Sequence, residues 1–257
     1  LVYHKVGDIA VHQTDNILIS AFINVSTVGI VSNYNLLIVS VSQFIHLIFN
    51  SVVSGLGNLI ATENKEKQYE IFCVYRFLAF WLYGFASIAF LILLTPFIKL
   101  WIGEKMTIDQ SVLILIVVNY YFMGHRIVVN NFKTAAGIFE ADKYIAIIQA
   151  IVNLVVSIIL VKKIGLAGIY IGTVLQGLIS TFFKPTILYR KIFMKRSTDY
   201  YKDSLLFLLV LSVPYLVLEF IKSKILINNS LNDFIILTTL TAFIPHIFIL
   251  MTMRKRK

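Results

Sequence analysis

Cysteine is almost absent from this sequence. The single Cys73 excludes an internal disulfide and any metal cage built on cysteines. Proline is nearly as scarce, with four in 257 residues, so long stretches hold nothing that would break a helix. Charge is thin as well: Asp, Glu, Lys and Arg make up 14% of the chain, roughly half the usual share of a soluble domain. The spacings that announce common enzymes are missing. There is no HExxH, no GxSxG elbow and no phosphate-binding P-loop. GLGNLIA at 55–61 has two glycines but no third at the fingerprint position, and no strand precedes it, which excludes a dinucleotide site. We therefore expect no enzyme, no metal site and no cofactor. The opening residues also lack the charged start, apolar core and cleavage site of a signal peptide. With Leu1 in first place, they lead us to expect a fragment of a longer chain.

What the sequence has is apolar surface. Hydrophobic residues form 58% of it, and the mean hydropathy is +0.84. A soluble fold could not hide that much, so the chain reads as an all-α, polytopic bundle of transmembrane helices. A span needs roughly 20 mostly apolar residues. Eight stretches qualify, near 4–23, 28–54, 71–95, 111–131, 144–161, 165–184, 204–221 and 233–252. The net charge of +10 is unevenly placed. Lys184, Arg190, Lys191, Lys195, Arg196 and Lys202 crowd one connection, and Arg254 to Lys257 form a basic tail. Basic connections between spans are the norm on the cytoplasmic side, so this pattern argues for orientation rather than nucleic-acid binding. A cytoplasmic C-terminus puts seventeen of the 23 basic residues at inner ends.

The connections carry further expectations. Residues 55–68 read as a helix end followed by an inner loop, and Pro96 as the end of the third span. KKIGLAGIYIG at 162–172 leaves room only for a tight turn, with Gly165, Gly168 and Gly172 permitting close packing. Residues 185–203 read as the longest connection, dividing a six-helix unit (1–184) from a basic loop, a final pair and the tail (185–257).

Polar residues on these oily helices fall in rows. His4, Asp8, His12 and Asp15 lie within about 80° on a helical wheel, and Asn35, Ser42, Gln43, His46 and Asn50 within about 100°. Asn119, Arg126, Asn130 and Lys133 share about 60° of the fourth span. Ionised groups at membrane depth cost about 2.5–3.5 kcal/mol each on insertion scales, so they seldom stay without a role. Asp8, Asp15 and the histidines suit cation or proton handling, unless residues 1–13 lie in water. Arg126, and less so Arg76 at the inner start of the third span, suits a phosphate group, unless it snorkels to headgroups. The Asn, Ser and Gln row could line a passage or glue helices together. Tyr170, Thr173, Gln176, Ser180 and Lys184 in the sixth span are expected to pack against other helices. Glu219, Pro214, Pro245 and His246 read as local pairings or kinks.

Several segments resemble one family. TDNILIS at 14–20, VGIVSNYNLLIVSVSQF at 28–44, SGLGNLIATENKEK at 54–67, PFIKLWIGE at 96–104 and AAGIFEADKY at 135–144 are similar to Wzx-type polysaccharide flippases. These are relatives of MATE multidrug transporters and of lipid II flippases. The resemblance implies two six-helix halves around a cavity that opens to alternate sides, with this chain as the second half plus an extra pair. It implies export of lipid-linked oligosaccharides across the bacterial cytoplasmic membrane, with the first half, membrane lipids and other polysaccharide-assembly proteins as partners. Substrate binding would fall to Arg126, Asn119, Asn130, Arg76, Asn35, Gln43, His46 and Asn50. Coupling to a proton or sodium ion would fall to Asp15, Asp8 and His12. The competing readings are a cation-coupled multidrug antiporter, with a net negative cavity; a membrane enzyme, with a large outer loop; and an inactive fragment.

Overall fold

The computed structural model describes residues 14–138, 143–225 and 231–253. Within them the chain is helical throughout, with short turns and no strand. A helix, α1, is described from 14 to 22. It is followed by α2 (Val25–Ser51), α3 (Val53–Thr62), α4 (Lys65–Ile102), α5 (Gln110–Ala135), α6 (Lys143–Ile164), α7 (Leu166–Leu188), α8 (Thr198–Ile225) and α9 (Leu231–Met253). Seven helical segments among the described residues are long and apolar enough to cross a membrane, with α2 and α3 forming one of them. The chain is a multi-pass membrane bundle. Half of the first expected span, including His4, Asp8 and His12, lies outside the described residues, as does the basic tail.

Three expected interruptions are helical instead. Gly55 and Gly57 sit inside α3, and the turn after it is confined to Glu63 and Asn64. Asn64 accepts the Lys67 N–H at 2.9 Å, and Gln68 Nε2 donates to the Glu63 carbonyl at 2.8 Å, so α4 restarts at once. Pro96 lies within α4, which runs on to Gly103, where a φ of 98° ends it. Pro185 lies within α7, and a π-helical turn, Tyr189–Phe193, extends it. Only residues 194–197 then separate it from α8, with Met194 left-handed at φ 54°. A span surrounded by lipid must keep its backbone hydrogen-bonded, so it tolerates one missing bond rather than unwinding. At 1.5 Å per residue, the 38-residue α4 is about 57 Å long, nearly twice the hydrocarbon thickness, so it tilts or protrudes.

The break between α2 and α3 has no proline or glycine at it. Val52 donates its N–H to Asn50 rather than four residues back. The Phe49 carbonyl there accepts Tyr75 Oη–H at 2.5 Å and Asn131 Nδ2–H at 3.0 Å, so α4 and α5 each contribute a donor.

Packing follows the small residues and the rings. The turn at Gly165 (φ 61°) brings α7 back against α6. A Cβ on Gly168 would meet the Leu160 carbonyl carbon at 2.4 Å, so the two backbones nearly touch. One apolar core joins α2, α4, α5 and the end of α7 through Phe49, Phe72, Tyr75, Tyr83, Phe132 and Tyr189. A second joins α4 and α5 to the final pair through Phe80, Tyr121, Phe207, Leu211, Leu237 and Ile249. There Phe80 stacks on Phe207 at 4.0 Å, and Trp81 Nε1 donates to His246 Nδ1 at 2.8 Å. Lys222 pairs with Glu219 at 3.1 Å, the local pairing expected of that carboxylate.

Candidate functional site: a polar cavity

The helices α1, α2, α5, α6 and α7 enclose a cavity of about 990 Å³. That is the upper end of the range of about 300–1,000 Å³ typical of ligand sites. The structure brings separate rows together there. Asp15 comes from α1; Asn35, Ser42, Gln43, His46 and Asn50 from α2; and Asn119, Arg126 and Asn130 from α5. The α7 row also faces the hollow. Tyr170, Thr173, Gln176, Ser180 and Lys184 line it, contrary to the expectation that they only pack against other helices. The row falls on the wall because α7 meets α6 through Gly168 and Gly172, which turns its other polar positions inward.

Each charged wall residue is held by named partners. Thr173 Oγ1 donates to the Asp15 carboxylate, 3.0 and 2.9 Å from its two oxygens. Asn153 Nδ2, itself buried, donates to Thr173 Oγ1 at 3.1 Å. The arrangement fixes both the threonine hydroxyl and the carboxylate it serves. Arg126 lays its guanidinium across α7, where Nη1 donates to the Gly177 carbonyl at 3.0 Å and approaches Thr181 Oγ1 at 3.4 Å. A Cβ at position 177 would stand 2.8 Å from Nη1 and 3.0 Å from Asn119 Oδ1, so glycine makes that crossing fit. The described partners of Arg126 are neutral, leaving its charge available to an anion. Lys184 Nζ donates to Asn130 Oδ1 at 3.2 Å. The Asn119 Oδ1 and Ser180 Oγ atoms are buried and have no hydrogen-bond partner among the described residues.

Arg76 stands elsewhere, apart from the other expected binding residues. It is 3% exposed, so it does not snorkel, and it is not on the cavity wall. Its guanidinium donates to the Tyr200 carbonyl and, at 2.7 Å, to Ser204 Oγ; it lies 3.4 Å from Asp203 Oδ2 and 3.9 Å over the Tyr200 ring. It faces α8, while the preceding residue, Tyr75, packs toward α2 and α5. Lys133, expected on the Arg126 face, is buried away from the cavity. Asp8 and His12 fall outside the described residues.

Asn16, Tyr120 and Gln149 on the wall went unnoticed in the sequence. Gln149 of α6 donates from Nε2 to both the backbone and the side-chain oxygen of Gln176 at 2.9 Å. The signal was there: Gln149, Asn153 and Ser157 recur every fourth residue on α6. Among the described residues no three His, Cys, Asp or Glu side chains are grouped to hold a metal ion. The described lining thus mixes apolar side chains with amides, hydroxyls and His46, and carries two cations and one carboxylate. Such a wall can hydrogen-bond a hydroxyl-rich solute and offset a negative charge.

No family model matches the chain, and no curated protein is significantly similar to it.

Proposed function

We propose that the chain is part of an exporter that flips oligosaccharides linked to a polyprenyl diphosphate across the bacterial cytoplasmic membrane. One observation carries this reading: the described cavity lining is net positive, with Arg126 and Lys184 against Asp15, and its other polar positions are mostly amides and hydroxyls. A cation-exporting antiporter would call for the opposite sign. The physical task is to move a polar, anionic head through about 30 Å of hydrocarbon while its lipid tail stays in the bilayer. In this reading Arg126 and Lys184 hold the diphosphate, and Asn35, Gln43, His46, Asn50, Asn119 and Asn130 bond sugar hydroxyls. Asp15 is the carboxylate at which a proton or sodium ion would couple transport. Rocking against the first half implied by the family resemblance would expose the cavity to each side in turn. The polypeptide would work among membrane lipids beside other polysaccharide-assembly proteins, with its C-terminus in the cytoplasm.

The test is export in cells, read as surface polysaccharide at matched protein abundance. Arg126→Ala and Asp15→Asn are each expected to lower export severalfold. Full export by both variants would refute the assignment.

A further inference from the structure

The reading above leaves the kind of oligosaccharide undefined, and the inference here rests on it. Along α7 the cavity row runs Thr173, Gln176, Ser180, Lys184. From Thr173 to Lys184, at 1.5 Å per residue, the helix axis advances about 16 Å. Asp15 is bonded at the first end and the Lys184 ammonium stands at the other. Arg126, bonded to Gly177 and reaching Thr181, places its charge between the middle of the row and the lysine. Charge along the described lining is therefore ordered, from one carboxylate at the first end, through Arg126 partway along, to Lys184 at the other.

That carboxylate is not free to swing away, because the Asn153–Thr173 pair holds it from behind. Its remaining lone pairs accept hydrogen bonds from sugar hydroxyls or from an amino group. It offers nothing to a second carboxylate, since two like charges at close range repel and each disfavours the other's ionised form. None of the described lining residues at that end is a cation that could take up the charge of a sugar acid.

We infer that the cavity selects by charge order along the substrate: negative charge at the diphosphate is accepted, and an acidic sugar at the far end is turned away. Neutral sugars and amino sugars fit that end.

Two short-chain polyprenyl diphosphates test this. Both carry a trisaccharide, differing only in whether the outermost sugar is glucose or glucuronic acid. Binding to the protein in lipid nanodiscs is measured in sodium-free buffer near roughly pH 8, where carboxylates are ionised. The glucose compound is expected to bind about tenfold more tightly, as suits one like-charge contact in a wet cavity. In Asp15→Asn the two affinities should converge to within about twofold. If Asp15→Asn does not fold, Thr173→Val, which releases the carboxylate without removing it, must narrow the ratio instead. Equal binding by the native protein, or an unchanged ratio in the folded variant, overturns the inference while leaving the transport reading in place. If neither compound binds, the transport reading fails and the inference fails with it.

Discussion

Replacing Gly172 with alanine probes a close contact between α6 and α7. The added Cβ would lie 2.1 Å from Ser157 Oγ and 3.0 Å from both the Asn153 carbonyl oxygen and the Ser157 backbone nitrogen. The first distance is a hard clash. The other two require a few tenths of an ångström of movement from the α6 backbone. Overpacking of this kind costs about 1–3 kcal/mol. Ser157→Ala alone removes the hydrogen bond from Ser157 Oγ to the Ile169 carbonyl, 3.0 Å, at about 0.5–1.5 kcal/mol. In Gly172→Ala/Ser157→Ala the hard clash is gone and only the backbone contacts remain. The pair should therefore be more stable than the sum of the single variants by at least about 1 kcal/mol, a coupling expected only of residues in direct contact. Unfolding of the four proteins in one detergent, followed by denaturant titration, measures the cycle. Additive effects, or a Gly172→Ala variant as stable as the native protein, would refute close backbone approach between α6 and α7.

Arg76→Met should loosen the final helix pair without touching the cavity. It removes charged hydrogen bonds to Tyr200 and Ser204, worth about 1.5–3 kcal/mol each before repacking, while leaving Asp203 40% exposed and able to turn to water. Limited proteolysis should then cut near residues 194–197 faster, with ligand affinity unchanged; lost affinity with normal proteolysis would contradict the placement of Arg76. A reporter active only in the cytoplasm, fused to the C-terminus, should give signal, and silence would contradict the orientation read from Lys and Arg.

The faces of α2 and α5 were legible in the sequence because a rigid helix keeps residues at i, i+3, i+4 and i+7 on one side. A wheel identifies a face and says nothing of what lies opposite. That is why the α7 row was read as packing, although Thr173 and Lys184 border a hollow. Helix ends were misread at Gly55, Pro96 and Pro185 because a backbone surrounded by lipid keeps every hydrogen bond it can, so one missing donor or a flexible glycine does not end the helix. Arg76 could not be placed at all. Its acceptors, Tyr200, Asp203 and Ser204, lie more than 120 positions along the chain, and no local pattern reports them.

The bend after Ser51 has a mechanical meaning. With neither proline nor glycine at it, the break between α2 and α3 coincides with the Tyr75 hydroxyl and the Asn131 amide that grip the Phe49 carbonyl. Those two grips belong to different helices. Movement of α4 against α5 would thereby pull on the wall that carries His46 and Asn50, which lie within two turns of the break.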